Sequence, residues 1–333
     1  MTIHQHATRP AARSAPNRFA AIALTMATAY TALRLWWQVS TQPSELSPVG
    51  TDLVLTSGWG TVGLCAAAAM LAGVLVVRPV SGVPAHAVRI TAAAVGLAMV
   101  TAGAMLLLDV VGGVLPGLGI EFYPLGALSR TVCVGSGLAL LLAVRSDLLA
   151  ARPTCRTCRR LWAMTGAIDH MPRWAYAAAY VSVAGCVLRI GAQAAVGFDR
   201  SPLSAGASAL LFDLGFVLAG SLLPLAQVHQ FGRIWPQWVP GLRGRRVPRP
   251  LVLWPGIAVS GSMTVYFGFM QIQMIIERLS GRNPFPPSDG MGDLPEAFFW
   301  VAIPGYLIWA AALAMASLAH HRHTKRRCAT CAL

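Results

Sequence analysis

Residues 19–39 read FAAIALTMATAYTALRLWWQV, and this run decides the fold class. Its mostly apolar side chains extend over about 20 residues, the length of helix that crosses a hydrocarbon layer about 30 Å thick. Arg34 lies near its end, where a permanent charge must face other protein groups, a water-filled space or the lipid surface. The run continues to Trp37 without a cleavage site of small residues, so we expect an uncleaved first span rather than a signal peptide.

The composition places the whole chain in the membrane. Hydrophobic residues make up 56% of the 333 residues and charged residues 11%, whereas soluble domains carry about 25% charged residues. Apolar runs of membrane-spanning length recur along the sequence. We predict an all-α integral membrane protein with eight transmembrane helices, at 19–39, 53–77, 88–113, 126–145, 174–195, 205–228, 251–276 and 297–319.

The placement of charge predicts the orientation of these spans. If the N-terminal tail is cytoplasmic, 20 of the 26 Lys and Arg residues fall in cytoplasmic segments, and the opposite loops hold three. Those outer loops also hold eight of the 12 acidic residues. This positive-inside pattern predicts a multi-pass plasma-membrane protein with both termini in the cytoplasm. Its net charge of +14 needs no nucleic acid, because anionic lipids of the inner leaflet are sufficient partners.

The arginine motif occurs twice, as LRLWWQ at 33–38 and LRIGAQ at 188–193. After each copy come an acidic loop ending in Ser-Pro, a Val-Pro before the third span, and a basic Cys-x-x-Cys after the fourth. This order predicts two parallel four-helix repeats related by an axis along the membrane normal, as in some transporters. The predicted segments are a basic cytoplasmic tail (1–18), repeat 1 (19–150), a cytoplasmic linker (151–173), repeat 2 (174–320) and a cytoplasmic His/Arg/Cys tail (321–333).

Each motif places an arginine and a glutamine four residues apart, on one face of a helix. Two interpretations fit: a snorkelling or structurally paired arginine, and an anion-contacting pocket open to the outside. Asp213 lies level with Arg189 and is its expected counter-ion, because an unpaired buried charge is costly. Span 2 offers Arg34 no such acid, so Asp109 or a bound anion is its expected partner. The candidate substrate-binding residues are Arg34, Gln38, Arg189, Gln193, Asp213 and Asp109.

The cysteines divide into two groups. Three lie inside predicted spans and are interpreted as small packing residues: Cys65, Cys133 and Cys186. Four form two pairs on the reducing side of the membrane: Cys155, Cys158, Cys328 and Cys331. The pairs fit unliganded thiols, a Cys₄ zinc site joining the repeats, or a redox pair with a thiol pKa lowered by nearby arginines. The run His320, His321 and His323 offers substitute zinc ligands.

The sequence contains none of the common motifs for ATP hydrolysis, serine hydrolysis or zinc proteolysis. We therefore predict transport or export, without ATP, of a small amphipathic or anionic compound through an outward-facing polar cavity. One alternative is a membrane-embedded enzyme that acts on a lipid-soluble substrate. The other is a scaffold that docks partners through basic cytoplasmic loops such as 230–250, which is dense in Pro, Trp and Arg.

Two stretches carry a resemblance to known sequences. An early Tyr-x-x-Leu-Arg, formed by Tyr30, Leu33 and Arg34, has aromatic neighbours, and the loop between spans 6 and 7 contains WVPGLRGRRVPR. In these features, and in its Ala-, Arg- and Gly-rich composition, the chain resembles uncharacterised integral membrane proteins of high-GC Gram-positive bacteria. The resemblance implies a fold and a membrane location and carries no activity.

The predicted topology is tested with reporter fusions. Fusions placed after Asp52, Gly119, Ser204 and Gly290 should all report the outer side, because each follows an odd-numbered span. A cytoplasmic signal from any one of them would contradict the eight-span arrangement.

Overall fold

The computed structural model describes residues 17–40, 43, 46–47, 52–77, 83–150, 170–198, 206–285 and 294–324. The chain is helical, and no strand occurs within these ranges. The helices are α1 (Arg18–Val39), α2 (Trp59–Val77), α3 (Val83–Ala102), α4 (Leu106–Val114), α5 (Pro124–Ala150), α6 (Arg173–Val196), α7 (Ala207–Val217), α8 (Leu223–Val228), α9 (Arg249–Leu279) and α10 (Glu296–His323).

Each predicted span contains a helix, and eight helical segments of the described residues are long and apolar enough to cross a membrane. The sixth span consists of α7 and α8 joined by a π-helical turn, Leu218–Leu222. This turn ends two residues before Pro224, which has no amide hydrogen for the helical ladder. A wider turn before the proline is a common way to keep such a helix continuous.

Two predicted boundaries differ most from the structure, and the two segments involved meet at one hydrogen bond. The second span begins at Trp59 rather than at residue 53, and the third ends at Ala102 rather than at residue 113. Residues 52–54 belong to the loop before α2, where the amide of Val54 donates to the carbonyl of Ala102 (3.0 Å). That hydrogen bond caps the last turn of α3 in place of a continuing helix.

The helices divide into two compact units. Unit 1 comprises residues 1–103 and 128–162, and unit 2 comprises residues 104–127 and 163–333. The short helix α4 therefore belongs to unit 2, although it follows α3 in the chain.

In unit 1, α1 and α5 pack antiparallel. Asn17 caps the start of α1 with its side chain and donates to the carbonyl of Ala143 (2.9 Å). Nearer the other end of α1, the hydroxyl of Tyr30 hydrogen-bonds Ser129 Oγ (2.7 Å). The core between these contacts is mostly alanine, which lets the helices approach closely.

In unit 2, α10 packs antiparallel to α6. Ala179 shares an apolar cluster with Ala316, and Cys186 shares the next cluster with Trp309. The two backbones come closest at Gly185, where an added Cβ would lie 2.7 Å from the amide nitrogen of Trp309. Small residues at such crossings allow close helix packing within a membrane.

This close approach gives a matched stability test within α6. We expect Gly185→Ala to destabilise the protein by about 1–3 kcal/mol, because the new methyl group would meet the α10 backbone. Gly191→Ala lies on the same helix with no atom within 4 Å of the added Cβ. It should be neutral or stabilising, because alanine favours the helix. Thermal unfolding in detergent measures both, and equal effects would contradict the packing described.

Candidate functional site

Arg34 is buried in unit 1 and has a carboxylate partner. Its Nη2 atom donates to Asp52 Oδ2, to the hydroxyl of Tyr30 (2.6 Å) and to Ser129 Oγ (3.0 Å). Ser129 Oγ also donates to Asp52 Oδ2 (2.6 Å). Side-chain exposure is 7% for Arg34 and 4% for Asp52, so this is a buried ion pair held in a hydrogen-bonded network.

Two described residues between α1 and α2, Leu46 and Asp52, are bound through their backbone carbonyls. Arg130 donates from Nε to the carbonyl of Asp52 (2.8 Å) and from Nη2 to the carbonyl of Leu46 (3.2 Å). Leu46 and Leu53 are each at most 2% exposed, so the loop buries apolar side chains on both sides of Asp52. Arg130 thus binds the loop backbone while Arg34 binds the loop carboxylate.

The predicted partner of Arg34 is therefore wrong. Asp109 is buried near the start of α4 in unit 2, and no bound anion is needed where Asp52 already lies. Gln38 lies beside Gly58 and makes no hydrogen bond to the described residues, so it does not join the network. Sequence reasoning missed Asp52 because an acid in a short loop is ordinarily solvated. Leu46 and Leu53, the apolar residues on either side of Asp52, were the sequence signal that this loop is buried.

Arg189, the second motif arginine, has a different set of partners. Its Nε donates to the hydroxyl of Tyr306 on α10 (3.0 Å), and its Nη2 donates to Gln193 Oε1 (3.2 Å). The guanidinium lies over the rings of Phe298 and Tyr306, 5.0 and 5.4 Å from their centroids. These partners are a phenol, an amide and two aromatic faces, all of them neutral.

No carboxylate among the described residues pairs with Arg189. The predicted ion pair with Asp213 is wrong, because Asp213 is exposed on α7 and forms no hydrogen bond or ion pair with the described residues. The Nη1 group of Arg189 likewise donates to none of them. Within the described part of the chain, this guanidinium keeps an uncompensated positive charge.

The surroundings of Arg189 are aromatic, with few polar groups. Phe267 of α9 stacks on Tyr306 with ring centroids 3.9 Å apart. One turn farther along α9, Gln271 has a buried Oε1 atom without a hydrogen-bond partner. Gln193 is fixed by a second bond, from its Nε2 to the carbonyl of Gly197 (2.9 Å). Tyr306 was not among the predicted site residues, because hydropathy does not reveal which helix faces α6.

A cavity of about 310 Å³ lies at the same end of α9. Met274 lines it and belongs to the apolar cluster of Phe298, the residue whose ring faces Arg189. Glu277 also lines it and is hydrogen-bonded to Arg282, whose pKa is raised by that bond. The acid at the cavity wall is thus paired, and the lining combines thioether, aromatic and amide groups.

The predicted metal ligands are not placed by the structure. Cys155, Cys158, Cys328 and Cys331 lie outside the described residues. Within the described ranges, no group of three or more His, Cys, Asp or Glu side chains is arranged to hold a metal ion. The three cysteines predicted to be packing residues are buried: Cys65, Cys133 and Cys186.

The buried pair in unit 1 can be tested by charge removal. We expect Arg34→Gln and Asp52→Asn each to lower the free energy of unfolding by about 3–5 kcal/mol, because each leaves an uncompensated buried charge. The double variant should lose less than the sum of the two losses, because no charge remains in the network.

Arg278→Gln is the control for this experiment. Its ion pair with Glu296 is exposed, with an N–O distance of 3.6 Å, and should contribute at most about 1 kcal/mol. Additive losses from Arg34→Gln and Asp52→Asn in thermal unfolding would contradict the pairing.

No family model matches the chain, and no curated protein or solved structure matches it either. What the protein does is therefore inferred from its own side chains.

Proposed function

We propose that this polytopic membrane protein transports or exports a small amphipathic anion, which it binds at Arg189 in unit 2. The eight apolar helices support the membrane setting. One observation supports an anionic ligand. Every partner that Arg189 has among the described residues is neutral. A charge in this setting favours a ligand of opposite sign, because an unpaired charge in an apolar medium is costly.

The two motif arginines provide an internal comparison. In unit 1 the chain itself supplies a carboxylate, Asp52, and the charge of Arg34 is neutralised. In unit 2 no described carboxylate takes that place beside Arg189. A ligand carboxylate, sulfonate or phosphate would complete the second network as Asp52 completes the first, and a guanidinium suits such planar or multi-oxygen groups.

The neighbouring side chains favour a ligand with an apolar part. Phe267, Phe298 and Tyr306 present aromatic surface around the guanidinium. The nearby cavity adds methionine side chains, which adapt to ligands of varied shape. A compound with one anionic head and one aromatic or alkyl group matches both features, so we assign the head to Arg189 and the apolar part to the cavity side.

Binding and transport are favoured over catalysis by the kind of polar groups present. The described polar groups that Arg189 contacts are the amide of Gln193 and the phenol of Tyr306. Neither is a carboxylate or imidazole, the groups that most often act as general bases. The scaffold alternative gives no reason for an unpaired charge inside the helices.

We further propose that residues 19–150 and 174–320 are parallel repeats, with both termini in the cytoplasm. In each unit the motif arginine donates to the last long helix: Arg34 to Ser129 of α5, and Arg189 to Tyr306 of α10. In each unit the first long helix packs antiparallel to that last one. This arrangement and the positive-inside charge pattern support a duplicated unit in the plasma membrane.

The proposal is tested in proteoliposomes of phosphatidylcholine loaded with small aromatic and alkyl carboxylates, sulfonates and phosphates. We expect saturable flux of at least one class, with Arg189→Gln lowering it by about 10- to 100-fold through loss of a charge-assisted contact. Arg189→Lys should also impair flux, because lysine cannot reproduce the guanidinium fork.

Two control variants make the result specific. Arg278→Gln removes an exposed charge of the same kind and should leave the flux unchanged. Asp199→Asn tests whether an acid outside the described residues balances Arg189, and it should also have no effect. Flux that is absent for every compound, or is unchanged in Arg189→Gln, would refute the proposal.

A further inference from the structure

A second cluster of cationic and polar groups lies at the far end of α10, in unit 2. Three histidines there each meet a residue from another segment. His320 is buried and hydrogen-bonds the carbonyl of Gln227 through Nδ1 (2.9 Å). His321 Nδ1 lies 2.7 Å from Arg249 Nη2, and His323 Nε2 lies 2.6 Å from Arg233 Nη1.

The two arginines are fixed at the two ends of one folded loop. Ile234 and Arg246 form a β-bridge, and the amide of Val247 donates to the carbonyl of Arg233 (2.8 Å). The loop begins with a tight turn at Gly232, where an added Cβ would lie 1.7 Å from the carbonyl oxygen of Ala226. The β-bridge and the hydrogen bond from Val247 close the backbone of the loop on itself. The loop holds Arg233 and Arg249 against the same end of α10.

The chemistry of these contacts leaves positive charge in the cluster. An arginine only donates hydrogen bonds, so the imidazole nitrogen is the acceptor in each of these contacts. Neither Arg233 nor Arg249 pairs with a carboxylate of the described residues. Two guanidinium charges therefore lie at the same end of α10, each beside a histidine.

Both arginines also retain unsatisfied donors. Arg233 Nε and Arg249 Nε are buried and have no hydrogen-bond partner. Buried hydrogen-bond donors have an acceptor in the great majority of cases, so two unsatisfied N–H groups in one cluster indicate an acceptor that the described residues do not supply. In Arg233 the Nη2 atom is free as well, which leaves open the Nε–Nη2 edge that binds two oxygens of one anion.

We propose that Arg233 and Arg249 form a binding site for a phosphate group at the end of unit 2 that the charge pattern places in the cytoplasm. Two uncompensated charges and two orphaned N–H donors match the charge and the several acceptor oxygens of a phosphate. This inference is independent of the proposed transport role, because it involves other residues at the opposite end of α10.

The phosphate can belong to a lipid headgroup or be free in solution. The loop that carries the arginines favours a lipid. Trp238 is 81% exposed, and the nearby Arg243, Arg245 and Arg246 are exposed as well. An exposed tryptophan among arginines is typical of a segment at the level of the lipid headgroups.

Native mass spectrometry of the full chain released from detergent tests the site. The protein is titrated with phosphatidic acid, phosphatidylglycerol and phosphatidylcholine, each with and without inorganic phosphate as competitor. We expect one preferred anionic lipid per chain, with affinity lowered at least about tenfold in Arg233→Gln/Arg249→Gln. Displacement by inorganic phosphate would assign the site to free phosphate, and persistence of the lipid would assign it to a headgroup.

The control is Arg243→Gln/Arg245→Gln, which removes the same charge from exposed positions of the same loop. It should change the affinity less than about twofold, because diffuse attraction to exposed arginines is weak. If the Gln pair fails to fold, Arg233→Lys and Arg249→Lys keep the charge and remove the guanidinium fork, and each should still weaken binding. Equal losses in the site and control variants, full binding by both lysine variants, or no bound lipid or phosphate in the unaltered protein would overturn the proposal.

Discussion

A guanidinium within the hydrocarbon layer must have its charge balanced, because neither lipid nor apolar side chains can solvate it. Unit 1 meets this constraint with one of its own residues, and much of its structure follows. To bring Asp52 to Arg34, the loop before α2 is drawn into the helices and its backbone is bound by Arg130. The same path places Val54 against the last carbonyl of α3, which ends there. The ion pair with Arg34 and the hydrogen bond to the end of α3 thus both involve residues 52–54.

Unit 2 carries the same arginine motif, but no described carboxylate pairs with its arginine. Arg189 is surrounded by Tyr306, Gln193 and the ring of Phe298, a set that orients the guanidinium without neutralising it. Hydrogen bonds to neutral groups do not neutralise the positive charge of Arg189. We therefore propose that a ligand supplies the negative charge that Asp52 supplies in unit 1. If the units arose by duplication, as we propose, the copies differ in whether a described carboxylate of the chain neutralises the motif arginine.

The number of spans, and the location of both motif arginines within spans, could be predicted from sequence, because hydropathy and helix length depend on local composition. The side chains that contact Arg34 and Arg189 could not be predicted. Asp52 is 18 residues from Arg34, and its approach depends on a loop path that no local pattern specifies. Tyr306 is 117 residues from Arg189, and their contact depends on α10 packing beside α6. Asp213 has a suitable depth but is exposed on α7, which shows that depth along a helix does not determine the direction of a side chain.

The central claim is that Arg34 is neutralised by the chain and Arg189 by a ligand. An electron cryomicroscopy map of the protein purified from its own membrane tests this most directly. We expect density beyond the protein side chains within hydrogen-bonding distance of the Arg189 guanidinium. Beside Arg34 we expect only the Asp52 carboxylate. A carboxylate of the chain, such as that of Asp199, paired with Arg189, or a non-protein anion bound to Arg34, would contradict it.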